Sequence, residues 1–401
     1  MATSRTIFVA GAGIGGLTAS LALAAKGFRV VILEKAERLE EIGAGLQLSP
    51  NASRVLVDLG LQPRLAARAV TPDAISLMSA RSGGELVRLP LGEAATLAAG
   101  APYWVVHRAD LQGALQTHVN DNPDIELRLG CQFEDVAPHA KGLTVVQRSD
   151  IARSQELALA LIGADGIWSA VRQHLFPDMQ PQFSGLIAWR GTLEATQLPR
   201  EYASRRVQLW MGPNAHLVAY PISGARQINV VAVVPGIWNR PGWSTPGDGN
   251  ELKNVFASRK WPGPARMTIG AVDAWKKFAL FTLPDGGGWS SGAIALLGDA
   301  AHAMLPFAAQ GAGMAIEDAA VLAKCLGEGA GENGEGIPAA LKRYARLRRP
   351  RVGRVQRAAR RNGVIYHLSG PAAFARDLAI RALGAKRMLA RQDWIYDWRI
   401  S

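Results

Sequence analysis

Apolar residues along the chain change period several times. Residues 6–10 form a short apolar run, a glycine cluster follows, and apolar residues then recur at helical spacing as far as Lys26. A second run at 29–33 ends at Glu34. Short continuous runs bounded by glycine read as strands buried on both faces, and the periodic segments between them as covering helices. The texture returns at 157–162, a single expected parallel strand ending in Gly163-Ala-Asp165-Gly166, and at 293–297, ending in Gly298-Asp299-Ala-Ala-His302. This alternation predicts a Rossmann-like α/β sheet.

Other segments depart from that alternation. The glycine-rich stretch 43–51 predicts a loop, with Asn51 capping the helix that follows. Residues 74–90 predict a hairpin turning at Ser82, Gly83 and Gly84, and 183–283 carries β-rich runs with aromatic residues, expected as an inserted antiparallel sheet. A loop rich in Pro, Gly and Trp at 235–250 leads to a short helix. A flexible Gly/Glu linker is expected at 327–336, with helices to the end of the chain.

The first glycine cluster carries chemistry. Gly11 permits a tight turn, Gly13 lets backbone approach a pyrophosphate, and Gly16, beside Gly15, lets the helix pack closely on the strand. The amides and dipole of the helix start favour negative charge. Glu34, about twenty residues on, can accept hydrogen bonds from ribose hydroxyls, and its charge argues against a 2′-phosphate there. Strand, helix and terminal acid together predict dinucleotide binding, with Lys35 in the same set.

A length of 401 residues with 48% hydrophobic and 19% charged residues fits two or three globular domains. No apolar run approaches the ~18 residues of a membrane span, and the N-terminus lacks the features of a signal peptide, so a cytoplasmic protein without an integral membrane segment is expected. Cys131 and Cys325 stand far apart without a CxxC, which predicts two small buried hydrophobes and no metal site. The net charge of +12 is confined to the end: residues 342–401 hold 16 Lys and Arg against 3 Asp, while residues 1–341 hold 29 against 30 acids. Arg343, Arg346, Arg354, Arg357 and Arg361 recur at roughly helical spacing, as on a solvated helix face, and no nucleic-acid motif accompanies them.

Three separated segments thus share one logic, a strand ending in a polar turn from which a helix starts, the place where open α/β sheets bind ligands. With Asp165-Gly-Ile-Trp-Ser-Ala-Val-Arg172 as the second and Gly298-Asp299-Ala-Ala-His-Ala-Met-Leu-Pro306 as the third, continuing to Gly313, the chain resembles the single-component flavin-dependent aromatic hydroxylases of the para-hydroxybenzoate hydroxylase fold. It is most similar to the salicylate hydroxylase and 3-hydroxybenzoate 6-hydroxylase branch. The resemblance implies FAD as cofactor, NADH or NADPH as reductant, O2 as co-substrate, and hydroxylation of a small phenolic or heteroaromatic acid through a flavin C4a-hydroperoxide. It implies that the Asp165–Arg172 segment serves FAD and reductant, that Asp299 holds the ribityl chain, and that Arg108 contacts FAD. Gly45, Gly298, Pro306, Gly311, Ala312 and Gly313 complete the cofactor set. The helix beginning near Gly311 offers amides where the anion of reduced flavin develops. The expected division is 1–73, 105–182 and 284–330 for the FAD-binding domain, 74–104 and 183–283 for the substrate-binding sheet, and 331–401 for C-terminal helices.

In the stretch from His216 to Pro221, strand alternation puts His216, Val218 and Tyr220 on one face, so an imidazole and a phenol can enter one pocket. The same His-Leu-Val-x-Tyr-Pro pattern occurs in the branch named above, which implies that His216 activates a substrate phenol as base or proton relay. Gln310 stands where the resemblance places a pocket residue, either to orient a hydroxyl or to cap the helix. Related 6-hydroxynicotinate hydroxylases carry a histidine where Gln47 stands, which counts against that substrate. Arg190 and Arg226 are the candidates for a carboxylate clamp. The rival readings are a hydroxylase of a larger polyketide or quinone precursor and a non-catalytic flavin-binding protein at a membrane surface; a homodimer is left open.

Overall fold

In the computed structural model, which describes residues 5–39, 45–139, 142–199, 204–258, 261–331 and 334–400, the strand Thr6–Ala10 is buried along its whole length inside a six-stranded sheet. It pairs in parallel with Arg29–Glu34 on one side and Ala160–Gly163 on the other, and Ile294–Leu296 continues the parallel order. Ile125–Leu129 is parallel on the outside of Arg29–Glu34, and Ser290–Ser291 closes the far edge antiparallel. Because neighbouring parallel strands run the same way, the turns after Ala10, Gly163 and Leu296 lie side by side at their carboxyl ends. Backbone hydrogen bonds stitch them: Ala164 N donates to Ala10 O at 2.8 Å and Leu297 N to Gly163 O at 2.9 Å. Gly11 has φ +101°, and a Cβ there would stand 2.5 Å from the Ala164 carbonyl oxygen, so both the turn and its neighbour require glycine.

The run 157–162 is not one strand. Arg153–Ala158 belongs to a three-stranded antiparallel sheet, and the chain then enters the parallel sheet as Ala160–Gly163. Leu157 is 67% exposed, because an apolar run shared by two sheets need not be buried throughout.

The second large sheet has eight strands in the order Ser244–Gly247, Trp275–Thr282, Gln182–Glu194, Gln227–Pro235, Ala215–Ile222, Arg206–Gly212, Ala74–Ser79, Glu85–Pro90. The hairpin read at 74–90 therefore joins its edge. All pairings are antiparallel except Arg206–Gly212 with Ala74–Ser79, which is parallel since the hairpin arrives from elsewhere in the chain. One face packs Trp189, Trp210 and Trp275 with Leu217, Ala219 and Val230 into a separate core. Each large side chain so buried contributes about 1.5–3 kcal/mol. On the opposite face Ile380 of the C-terminal helices packs against Leu77, Leu209 and Met211, while the stretch around Arg190, His216 and Val231 borders a cavity.

Helix Gly311–Gly329 packs between Ile14–Ala24 and the 30-residue helix Ile337–Tyr366, and Gly370–Ala390 and Asp393–Tyr396 follow. The helix runs three residues into the expected linker. Asn51 is not a helix cap: helix Pro50–Asp58 has Ser49 at that position, and Asn51 lies inside, with its side chain turned to Gln310 and Glu317. Arg343, Arg346, Arg354, Arg357 and Arg361 are exposed, as their spacing suggested. Among the described residues no helix is long and apolar enough to cross a membrane.

Candidate active site

The three turns and the free face of the eight-stranded sheet enclose one cavity of about 310 Å³. Its nucleotide side is formed by Gly13 and Gly15 from the first turn, Ala164 and Gly166 from the second, and Gly298 and Asp299 from the third. Arg108, at the start of helix Arg108–Asn120, and the helix start at Gly311 and Ala312 add positive charge and free amides. The sheet side carries Arg190, His216, Val218, Tyr220, Val231 and Val233. Register explains the selection: His216 faces Val233, Val218 faces Val231, and Val231 in turn faces Arg190, so all lie on one face of three adjacent strands. Gly45, Leu46 and Gln47, from a strand paired antiparallel with Trp104–His107, line the cavity as well. Gly45 N donates to Asn229 Oδ1 at 2.7 Å, and a Cβ on Gly45 would stand 2.5 Å from the Tyr220 ring, so only glycine permits that approach.

The donor set suits a flavin dinucleotide. Arg108 and the amides of the Gly311 helix could answer anionic groups and Asp299 hydroxyls, and the glycine turn lies open to the cavity. Glu34 secures that turn: its Oε2 accepts from Ala12 N at 2.8 Å and its Oε1 from Ala36 N at 3.0 Å. A buried polar atom gives independent support, because Nε of Arg190 has no partner among the described residues. Burial lowers the proton affinity of Arg190; Tyr220 opposes that effect and Arg108 adds to it. Since a guanidinium stays charged in proteins, this arrangement calls for an anion in the cavity. Arg190 also lies 5.3 Å from the centroid of the Phe278 ring. Burial pushes the Tyr220 phenol up, against the pull of Arg190, so it is a neutral donor. His216 is only 3% exposed, and burial, followed by the neighbouring His367, holds its pKa well below the ordinary value. It is a neutral imidazole, able to accept a proton.

Not every residue expected at the site reaches the cavity. Of the expected set, Gly13, Gly15, Gly45, Arg108, Gly298, Asp299, Pro306, Gly311 and Ala312 line it together with His216 and Tyr220. Asp165 instead turns to helix Ala170–Leu175, where its Oδ2 accepts from Ala170 N at 2.7 Å and Val171 N at 3.2 Å. Arg172 spends its guanidinium on the carbonyls of Met179, Ala300 and Ile167, tying the second turn to the third. Lys35 is exposed, and Gly11, Gly16 and Gly313 serve the packing behind the cavity. Gln310 requires a correction. Its Nε2 donates to Ser49 Oγ at 2.8 Å and its Oε1 accepts from Asn51 at 3.1 Å, so both ends of the amide are engaged in a buried cluster and it neither enters the cavity nor caps its helix. Between the two clamp candidates, Arg190 lines the cavity whereas Arg226 is exposed at the far end of the sheet.

A buried ionic network lies behind the cavity. Glu317 and Asp318, both 0% exposed, sit on the Gly311 helix. Arg348 bridges them, Nε to Asp318 Oδ1 at 2.6 Å and Nη1 to Glu317 Oε2 at 2.7 Å, and Arg351 adds a two-pronged contact to Glu317. Asp318 Oδ2 also meets His302 Nε2 at 2.5 Å and accepts from Gly298 N at 3.2 Å, so the network positions the third turn. Burial would raise the Asp318 carboxyl, but His302 and Arg348 outweigh it and hold it below the ordinary range. Two adjacent acids within an otherwise apolar helical stretch were the available signal. A larger groove of about 830 Å³ lies between residues 284–290 and the arginine-rich helix, but of the three turns it touches only Ala301 and His302.

Comparison with known proteins agrees with this geometry. A family model described as FAD binding domain matches residues 4–359. The chain is 38% identical to a 3-amino-4-hydroxybenzoate 2-monooxygenase of Streptomyces platensis over 97% of this chain and 95% of that protein. It is 34% identical to a 3-hydroxybenzoate 6-hydroxylase of Polaromonas naphthalenivorans, over 98% of this chain and 96% of the relative. Among solved structures, a salicylate hydroxylase substrate complex superposes with a TM-score of 0.82 at 26% identity, covering 99% of this chain and 96% of that one.

Proposed function

Because the chain belongs to the FAD-binding family of aromatic monooxygenases, we propose that it uses NADH or NADPH and O2 to hydroxylate a small phenolic acid held between Arg190 and His216. The observation that carries this reading is the half-buried Arg190, its Nε buried without a partner among the described residues, in the same cavity as a neutral histidine and the dinucleotide turns. Arg190 anchors the carboxylate, which supplies the missing anion. His216 accepts the phenol proton at the ring nitrogen that faces the cavity, because phenolate is the more electron-rich ring for oxygen attack. Tyr220, kept neutral by burial, donates a hydrogen bond to the bound acid. Val218, Val231, Val233 and Met304 give the cavity apolar walls that exclude water. Bound FAD would supply the electron transfer from reduced nicotinamide and the activation of O2. Arg108 and Asp299 would hold it, and the amides at Gly311 and Ala312 would favour negative charge beside them. A cytoplasmic location fits a reaction that draws on reduced nicotinamide.

The test is NADH and NADPH consumption by FAD-loaded protein across hydroxybenzoates, aminohydroxybenzoates and salicylate, with peroxide and product mass recorded together. The expected result is at least one acid that accelerates consumption and gains one oxygen atom. Failure of every acid to gain oxygen would overturn the reading.

A further inference from the structure

His216 does not end at protein packing. Its Nδ1 lies 2.8 Å from Nε2 of His367, the residue that follows helix Ile337–Tyr366, with the two ring centroids 5.0 Å apart and the planes inclined at 34°. A nitrogen–nitrogen distance of this length is a hydrogen bond, so one proton is shared between the two rings. His216 is buried while His367 is half-buried, so the pair runs from the cavity toward the surface. The helix end is fixed beside His216: Asn362 Nδ2 and Tyr366 Oη both donate to Phe307 O, at 3.1 and 3.2 Å, and Phe307 packs edge-on to His216 at 5.1 Å. Backbone adds a further tie, since Asn214 N donates to His367 O at 3.0 Å.

We propose that His367 is the positioning partner of His216 and the outer member of a two-histidine proton relay that carries the substrate's phenol proton out of the cavity. The inference rests on the hydroxylase reading above. In the resting state His216 holds its proton on Nδ1, donated to His367 Nε2, and presents the Nε2 lone pair to the cavity. The phenol O–H bond breaks as an N–H bond forms at His216 Nε2. The Nδ1 proton passes to His367 Nε2, and the half-buried His367 gives its Nδ1 proton to solvent water. One proton moves outward, no redox change occurs, and His216 never has to keep a positive charge in a site that disfavours it. The return path reprotonates the product.

Other ionisable groups face the pair without replacing it. Tyr366, from the helix, lies 5.5 Å from the His216 ring but is engaged with Phe307 O, and burial pushes its phenol up. Tyr220 on the same strand, Arg190 on the next but one and Arg108 line the cavity, where the intervening strand offers Val231 and Val233; beside His367, Arg376 is engaged with the carbonyls of Ile365 and Tyr366 and with Asp377. None of these bonds to Nδ1 of His216.

The test uses FAD-loaded wild type, His367→Gln and His367→Ala without reductant. Each is mixed by stopped flow with an acid that wild type oxygenates, and proton release is read with a pH-indicator dye beside ligand binding by flavin fluorescence. Glutamine keeps a hydrogen bond to His216 but cannot hand a proton on. The expected result is release slowed at least ~10-fold in both variants, with binding retained and added imidazole restoring the rate in His367→Ala. Release at the wild-type rate in His367→Gln would overturn the relay while leaving the hydroxylase reading intact. The reading itself fails earlier, if wild type oxygenates no acid. Nitrogen-15 NMR of the histidines needs no substrate and covers that case and poorly folding variants: His216 protonated on Nδ1 is expected, and His216 fixed as the Nε2–H tautomer would overturn the relay.

Discussion

Two histidines in this protein are almost equally buried, His302 at 2% exposure and His216 at 3%, yet their surroundings assign them opposite tasks. His302 meets the Asp318 carboxylate, which Arg348 also grips, and its ring stacks on Trp289 with centroids 5.0 Å apart. A fixed anion at Nε2 and an indole against the ring face hold His302 as part of the frame beneath the third turn. His216 meets a second imidazole instead and borders the cavity. An imidazole partner, which can donate or accept, leaves the proton free to move where a carboxylate would fix it. Burial alone therefore does not identify a reacting histidine; the partner and the cavity it borders do.

Breaking the frame should have the largest effect. Arg348→Met leaves Glu317 and Asp318 without their shared cation, and the loss of one side of such a buried pair costs about 3–5 kcal/mol. Denaturant unfolding of the FAD-loaded variant should show that loss, together with weaker FAD retention because Gly298 N loses a fixed acceptor. Next comes the reacting histidine: His216→Ala should lower turnover roughly 100-fold or more while FAD content stays unchanged. Parallel loss of flavin would move His216 into the same class as His302. Arg190→Met should weaken binding of the aromatic acid by about 10- to 100-fold, the worth of a charge-assisted hydrogen bond, and leave binding of the corresponding carboxamide unchanged. Equal weakening of both would remove the carboxylate from that position.

The smallest effect concerns pH, and it separates the histidine at the cavity from the carboxylate in the frame. Because the folded state holds His216 below its ordinary pKa, unfolding takes up a proton at acid pH. Its share of stability is intact above about pH 6.5 and declines as pH falls below that value, at about 1 kcal/mol per pH unit. Asp318 is likewise held low, so its share survives down to about pH 3.9 and is lost only as pH falls further. Unfolding curves of wild type and His216→Phe should therefore diverge between about pH 6.5 and 5. Coincident slopes would contradict the neutral assignment of His216.

The nucleotide side was legible because its determinants are local. Gly11, Gly13 and Gly16 define a turn within six residues, and the acid at Glu34 follows from the length of one helix and strand. His216 and Tyr220 were legible because strand alternation fixes which side chains share a face, though not which face meets the cavity. Gln310 went wrong because its partners Ser49 and Asn51 lie 261 and 259 residues away, and no local pattern announces them. Arg348 was hidden in a run of arginines whose exposed members set the apparent period. His367 was hidden because only the end of a long helix, pinned to Phe307, brings it to His216. Arg190 was one of two candidates from sequence, and pairing register places it, unlike Arg226, at the cavity.

The central claim is that the cavity binds an aromatic acid with its phenol ionised by His216, and absorbance difference spectroscopy tests it most directly. An oxygenated hydroxybenzoate is titrated near neutral pH into FAD-loaded wild type and His216→Ala without reductant. Phenolate absorption of the bound acid in wild type, absent from a variant that still binds it, is the expected result. An un-ionised phenol in wild type, or equal ionisation in both proteins, would contradict the account.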